Sequence, residues 1–238
     1  MSGALAMARR ELLSLFGTLV GWVVVALFLV PCGVVFAVSV FRNGQPATLR
    51  DVFAAAGWSM LFVAPAITMR SFSDELRLGT WETLAAAPIG EGAIVAGKFI
   101  AALAMIVAMV LPTLGLALAL ELHGRPDFGE LACGALGVVL IGALFASVGL
   151  LASTLTASQL VAYLLALFFW LVLELCCRVL PPRAPGWLAE LLYASDPLRR
   201  LRDFTLGLLD SAHVAYFTLL CTAALIGATW CVRARRIE

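Results

Sequence analysis

The stretch of the sequence whose residue types best fit a known chemistry is residues 92–98, Gly-Ala-Ile-Val-Ala-Gly-Lys. Its spacing, two glycines with four residues between them and then lysine, is that of a phosphate-binding loop. Such a loop needs Ser or Thr after the lysine to hold Mg²⁺, but this chain has Phe99 there. No strand is predicted before the stretch, and an apolar run follows it at once. We therefore predict that this chain binds no nucleotide and carries no cofactor of its own.

Few other residues could perform catalysis or bind a metal. The two histidines, His123 and His213, fall in predicted connections, and no H-E-x-x-H motif occurs. The six cysteines show no C-x-x-C spacing. Only the adjacent Cys176 and Cys177 leave a redox or metal role open beside ordinary packing. The sequence therefore predicts no catalytic residue and no metal site.

The composition is that of a membrane protein. Hydrophobic residues make up 63% of the chain, charged residues 13%, and the mean hydropathy is +1.02, well above that of a soluble domain. A formal charge of +1 gives no reason to expect nucleic acid as a partner. We therefore expect a multi-pass protein in contact with membrane lipid.

Six apolar stretches are long enough to cross a bilayer as helices. A hydrocarbon core of about 30 Å takes about 20 apolar residues, and in lipid a helix satisfies its own backbone hydrogen bonds. The predicted fold is therefore all-α, a single transmembrane domain of six helices. The expected spans are residues 16–40, 53–69, 99–120, 131–152, 159–176 and 214–232.

Small residues recur at intervals of four in the fourth span. Gly142 and Ala146 form one pair and Gly149 and Ser153 another, a spacing that lets two helices approach closely in a membrane. The fifth span is bulky by comparison. We predict that the fourth span lies inside the bundle and that the fifth faces lipid.

A long connection, residues 178–211, separates the fifth and sixth spans. Glu174 and Arg178, four residues apart where the fifth span ends, could pair on one helix face. Asp196-Pro197 is typical of a helix start. The helix that it begins is amphipathic, and we expect it to lie on a membrane surface.

A charged interruption, residues 70–98, separates the second and third spans. Its residue order is typical of two short helices, with Gly79 between them and Pro88 at the end. One interpretation is a solvated loop with two helical turns. The other is a docking element that presents Trp81, Leu84 and carboxylates to a soluble partner.

The sequence of this interruption also carries a resemblance. ELRLGTWETLAAAPI, followed by GKF, resembles the pattern E-x-x-x-G-T-x-E-x-L-x-x-x-P, then G-K, of permease subunits of the ABC-2 exporter family. The opening RRELLSLFGTLVGWVVVALF is similar to that family. The late DFTLGLLDSAHVAYF is similar to its gliding-motility-associated and nitrous-oxide-reductase maturation permeases. From this resemblance we expect the coupling to an ATPase to involve Glu75, Gly79, Thr80, Trp81, Glu82, Leu84, Pro88 and Lys98.

The resemblance implies a permease that works as a homodimer, or as a heterodimer with a related permease, together with cytoplasmic ATPase subunits that bind ATP and Mg²⁺. Residues 70–98 would then be a cytoplasmic coupling segment and residues 178–211 an outer amphipathic segment. Within the latter, Asp196–Asp210 would be a re-entrant or surface helix that caps the outer end of the pathway. Both termini would be cytoplasmic, in a bacterial inner membrane. The 16 Lys and Arg residues divide equally between the two sides, so charge bias alone gives no orientation. The alternative is a non-transporting membrane scaffold or assembly factor, and the sequence identifies no substrate.

Overall fold

The computed structural model describes residues 3–40, 48–81, 90–121, 127–183 and 185–237. Within these ranges the chain is helical and has no strand. The helices are α1 (Gly3–Gly17), α2 (Leu19–Val40), α3 (Arg50–Thr68), α4 (Ser73–Leu78), α5 (Glu91–Glu121), α6 (Phe128–Leu155), α7 (Gln159–Val179), α8 (Gly186–Ser195), α9 (Pro197–Thr205) and α10 (Ser211–Ile237), with a 3-10 turn at Pro181–Arg183.

Among the described residues, six helical segments are long and apolar enough to cross a membrane. They lie in α2, α3 with α4, α5, α6, α7 and α10. This confirms the predicted all-helical class with six candidate spans. Their limits are Gly21–Ser39, Arg50–Leu78, Glu91–Ala117, Phe128–Leu155, Gln159–Val179 and Ser211–Arg235.

Five of the six helix starts differ from those expected, and two of the differences change how the chain is divided. The first span does not begin at Phe16, because α1 ends at Gly17 and α2 begins at Leu19. Side chains satisfy the carbonyls left free there: Thr18 Oγ1 donates to the Leu15 carbonyl (3.2 Å) and Trp22 Nε1 to that of Phe16 (3.1 Å). The third span's helix begins at Glu91, eight residues earlier than expected, so part of the charged interruption belongs to α5.

Helix α6 lies at the centre of the bundle. It packs against α3, α5, α7, α9 and α10, and a larger share of it is buried than of any other described span. Helices α2, α7 and α10 are peripheral, with most of their surface outside the protein core. The predicted contrast between a small-residue interior helix and a bulky outer helix therefore agrees with the structure.

The two ends of the bundle carry different elements. At one, the terminal end, α1 and the last turns of α10 meet: Met7 and Val232 belong to one apolar cluster with Phe72. Arg235 Nη2 also donates to the Leu155 carbonyl at the end of α6 (3.2 Å). At the opposite end, the re-entrant end, lie α8, α9 and the start of α10. Helix α1 and the end of α10 are thus on one side of the bundle, as six spans require.

Helix α9 is amphipathic as predicted, but its apolar face meets protein and not a membrane surface. Leu198, Leu201 and Phe204 are buried between α3 and α6. The helix fits because α3 and α6 present glycines to it: a Cβ on Gly57 would lie 2.2 Å from Leu201 Cδ2, and one on Gly137 2.7 Å from Phe204 Cβ. Helix α9 therefore enters the bundle, which agrees with the re-entrant one of the two placements left open by the sequence and not with a surface placement.

Hydrogen bonds and caps hold this re-entrant helix in place. Asp196 caps it by accepting a hydrogen bond from the Arg199 amide (2.9 Å). Tyr216 of α10 donates its hydroxyl to the Ser195 carbonyl (2.8 Å), and the Arg200 guanidinium lies over the Tyr216 ring. The preceding helix α8 has no buried residue among those described. Within residues 178–211, helix α9 is thus packed into the bundle, whereas α8 buries no described residue.

Candidate functional site

A buried lysine forms the centre of the terminal end. Only 1% of the Lys98 side chain is exposed. Its Nζ donates to Glu11 Oε1 (2.8 Å), Glu75 Oε1 (2.8 Å) and the Ser71 carbonyl (2.5 Å). It also lies 4.9 Å from the centre of the Phe72 ring. All three ammonium protons therefore have acceptors, which is what a buried lysine requires.

The three acceptors of Lys98 come from different parts of the chain. Glu11 lies on α1, Ser71 in the connection after α3, Glu75 on α4, and the lysine itself on α5. One ammonium group thus joins the N-terminal helix, the charged interruption and the third span. Sequence reasoning placed Lys98 and Glu75 in a segment facing a soluble partner. In the structure both side chains point inward, where the two carboxylates pair with the buried ammonium. Their part in coupling to an ATPase stays a prediction.

Helix α4 is tied to the C-terminal part of α6 and the start of α7. Ser73 Oγ donates to the Ser153 carbonyl (3.3 Å), and Gln159 donates to Asp74. Trp81 packs edge-on against Phe72, with ring centres 6.2 Å apart, and is half-buried. Trp81 therefore packs against the apolar cluster that contains Met7, Phe72 and Val232, and it is less available to a partner than predicted.

The longest exposed run of the described interruption, called here the exposed turn, is the end of α4 with the residues after it, Arg77 to Thr80. Gly79 ends the helix with φ of +69°, a left-handed conformation that favours glycine. The Leu78 side chain beside it is 67% exposed. Because Leu78 is the large apolar side chain of this exposed run, it is the position at which a contact with another protein is best tested. Sequence reasoning missed it, because the exposure of Leu78 depends on which helices cover α4.

Three of the predicted coupling residues, Glu82, Leu84 and Pro88, lie outside the described residues. Their role stays a prediction. Of the other predicted coupling residues, Gly79 and Thr80 are exposed, whereas Trp81 is half-buried and Glu75 and Lys98 are ion-paired. The structure thus divides the predicted coupling residues into an exposed turn and an internal connection behind it.

The residues predicted to pack helices are all buried in α6. A Cβ on Gly149 would lie 2.2 Å from Thr68 Oγ1 and 3.2 Å from Pro65 Cα, so α3 crosses α6 in close contact there. A Cβ on Gly142 would lie 3.0 Å from Ile106 Cγ2 of α5. Ala146 and Ser153 are fully buried on the same helix. All four residues therefore lie where α6 meets its neighbours.

The residues near the end of α7 form a second polar group, at the re-entrant end. Arg178 Nε donates to Glu174 Oε1 (2.6 Å), which is the pairing that the spacing suggested. Cys177 is buried and Cys176 half-buried, and both are free thiols. Over the described residues no cluster of three or more His, Cys, Asp or Glu side chains could hold a metal ion.

The fold and this site define a class of protein: an all-helical, multi-pass membrane protein whose charged connection is ion-paired to its spans. The family model described as "ABC-2 family transporter protein" matches residues 58–190, more than half of the 238 residues. The chain belongs to that family. No curated protein matches it.

Membership fixes the general role of the chain. Proteins of this family are membrane components of ABC transporters, so the chain is a permease component and a membrane transport protein, not itself the catalytic subunit. The matched residues begin within α3 and end within α8, so they include the charged interruption and the central helix α6.

Proposed function

We propose that the chain is the permease subunit of an ATP-driven exporter, that it works as a pair of permeases, and that a separate cytoplasmic ATPase subunit, which binds ATP and Mg²⁺, drives it. The observation that carries the proposal is Lys98. This one buried group connects the exposed turn after α4 to the N-terminal helix and to a membrane span. The pairing, with an identical or a related permease, rests on the sequence resemblance.

The contacts of Lys98 suggest how a push on the exposed turn would reach the membrane. A partner that contacts Leu78 and Gly79 would move α4, which carries Glu75. Because Glu75 and Glu11 share the ammonium of Lys98, such a movement would act on α1 and α5 together. Gln159 and Ser153 would carry it to α6 and α7. Four helices would then respond to one contact.

The terminal end is proposed to face the cytoplasm of a bacterial cell, at the inner membrane. The turn after α4 lies at that end, and an ATP-binding partner must be on the side where ATP is. Reporter fusions made after Gly90 and after Arg183 test this, because the two positions lie at opposite ends of the bundle. We expect a cytoplasmic reporter to be active only at Gly90 and a periplasmic one only at Arg183. The reverse pattern would overturn the orientation.

The partner is tested by purifying the tagged protein from its host in mild detergent and identifying what accompanies it. We expect a soluble ATPase with a complete phosphate-binding loop. A folded permease that brings down no ATPase would contradict the proposal and favour the scaffold or assembly-factor alternative.

Substitution of Leu78 by Asp should weaken ATPase capture by about tenfold or more, since a buried apolar contact at an interface centre is commonly worth over 1 kcal/mol. Folding should not change, because Leu78 is 67% exposed. Leu209→Asp is the matched control: this leucine is 59% exposed but lies at the re-entrant end. Capture is measured as the ATPase-to-permease ratio in the eluate. Equal ratios for both variants would remove the turn from the docking surface.

A further inference from the structure

A cavity of about 450 Å³ lies beside Lys98 at the terminal end and is lined by α1, α2, α3, α4 and α5. Arg10, Leu78 and Thr80 line it and are exposed, so its mouth is on the surface. The volume is within the range of about 300–1,000 Å³ that small-molecule sites have.

The part of the cavity near its mouth is charged with both signs and incompletely paired. Arg70 and Glu75 line it, and the Arg70 Nε–H and the Glu75 Oε2 atom are buried with no hydrogen-bond partner among the described residues. Lys98 contributes no further donor, since its three protons are already used. Arg10, Glu11 and Asp74 also line it, of which Glu11 is paired with Lys98 and Asp74 with Arg77 and Gln159. A ligand that satisfies this region must supply an acceptor for arginine and a donor for carboxylate.

The rest of the cavity is apolar. Its lining there includes Val24, Ile67, Ala102 and Met105. Met105 lies seven residues beyond Lys98 on α5, which at 1.5 Å per residue places it about 10 Å further into the span. The cavity therefore changes from charged to apolar along the direction in which a membrane changes from headgroup to hydrocarbon.

The helix that forms one wall fits a position at the membrane surface. Leu5, Leu13 and Phe16 of α1 are 54%, 65% and 38% exposed, while its Glu11 points inward to Lys98. An amphipathic helix with exposed apolar side chains, placed just before a span, lies in the headgroup region of a bilayer. The charged part of the cavity is thus at the depth of lipid headgroups.

We infer that this cavity binds a membrane lipid with a zwitterionic headgroup. The phosphate faces Arg70 and Arg10, the ammonium faces Glu75 and Asp74, and the first acyl carbons occupy the apolar part beside Met105. The inference does not depend on the ATPase, because the site is formed by this chain alone. The inference can therefore fail while the proposed function stands, and the proposed function can fail while the inference stands.

Binding is tested with the purified full-length permease in detergent and short-chain lipids as probes, by isothermal titration calorimetry. Dihexanoylphosphatidylethanolamine should bind at least tenfold more tightly than dihexanoylphosphatidylglycerol, which lacks the ammonium, and than O-phosphoethanolamine, which lacks the chains. Equal affinity for the glycerol lipid would overturn the zwitterionic assignment. Equal affinity for O-phosphoethanolamine would show a site for a soluble ligand and overturn the lipid assignment.

Two variants place the binding in this cavity. Arg70→Gln removes a charge-assisted hydrogen bond and should weaken the binding of dihexanoylphosphatidylethanolamine by roughly 10- to 100-fold. Ala66→Leu, on the cavity wall, should reduce binding by at least tenfold by occupying the space. Ala55→Leu is the control, since Ala55 is a half-buried alanine of the same helix outside the cavity. If Ala66→Leu folds with the same melting temperature as the control and still binds normally, the site is elsewhere and the inference is wrong.

Discussion

Replacement of Lys98 by methionine is expected to destabilise the permease by about 3 kcal/mol, the lower part of the range for removing one partner of a buried ion pair. The lower part applies because the Glu75 and Glu11 side chains keep 16% and 24% of their surface in contact with solvent. Methionine fills most of the lysine's volume but leaves two carboxylates facing each other without a cation. The expected fall in the midpoint of thermal unfolding in detergent is roughly 10 °C for a chain of this size.

Two comparisons separate this effect from loss of charge in general. Arg77→Met removes a cation from α4 whose side chain is 61% exposed and whose partner Asp74 is 3.4 Å away. Such a surface pair is worth about 0–1 kcal/mol, so the midpoint should hardly move. Adding Glu75→Gln and Glu11→Gln to Lys98→Met should restore part of the lost stability, since no unpaired charge then remains. If Lys98→Met melts like Arg77→Met, the lysine does not hold the terminal end together.

The Lys98→Met variant also tests the coupling between the ATPase and the membrane spans. If Lys98 connects the exposed turn to the spans, Lys98→Met should retain ATPase capture through Leu78, because that contact lies outside the cluster. It should nevertheless lose transport-dependent stimulation of ATP hydrolysis. Wild-type stimulation in a folded Lys98→Met permease would contradict the proposed path of movement.

Gly149→Leu is expected to prevent correct assembly of the bundle. Even a Cβ at this position would lie 2.2 Å from Thr68 Oγ1 and 3.2 Å from the backbone of Pro65, so α3 would have to move away from α6. Overpacking of a core costs about 1–3 kcal/mol where side chains can adjust, and a backbone contact leaves less room for adjustment. We expect most of the protein to elute as aggregate in size-exclusion chromatography, and Gly149→Ala to lower the melting temperature measurably.

A graded series of glycine substitutions tests the physical cause. Gly142→Ala meets the flexible Ile106 side chain at 3.0 Å, so it should be milder than Gly149→Ala. Gly115→Ala is the matched control, because a Cβ there has no atom within 4 Å and alanine is the better helix former. Its melting temperature should be unchanged or slightly higher. Equal effects at all three positions would mean that helix propensity, and not close approach of α3, controls stability.

Much of the fold follows from the sequence because it depends on local properties. A run of about 20 apolar residues can be stable in a bilayer only as a helix, so the number of spans follows from counting. The central position of α6 followed from Gly142 and Gly149, since small residues allow close approach whatever the partner is. The Glu174–Arg178 pair followed from a spacing of four within one helix.

The candidate site could be predicted only in part. Residues 70–98 were found as the charged interruption, and Gly79 as its break. Charge and a low helix propensity are properties of the individual residue, so they can be read without knowledge of its neighbours in space. The partners of Lys98 were not found, since Glu75 lies 23 residues away and Glu11 87 residues away along the chain. The exposure of Leu78 was missed for the same reason, because it depends on which helices cover α4.

By itself, then, the sequence determined that this chain is a six-span helical membrane protein with a charged interruption between the second and third spans. Only the tertiary structure decided that Lys98 is internal, that α9 enters the bundle, and that α1 closes one side of a charged cavity. The physical reason is that hydropathy does not distinguish lipid from the protein interior, which are about equally apolar. A helical periodicity therefore shows that a face is apolar, and only the packing of neighbouring helices shows what covers it.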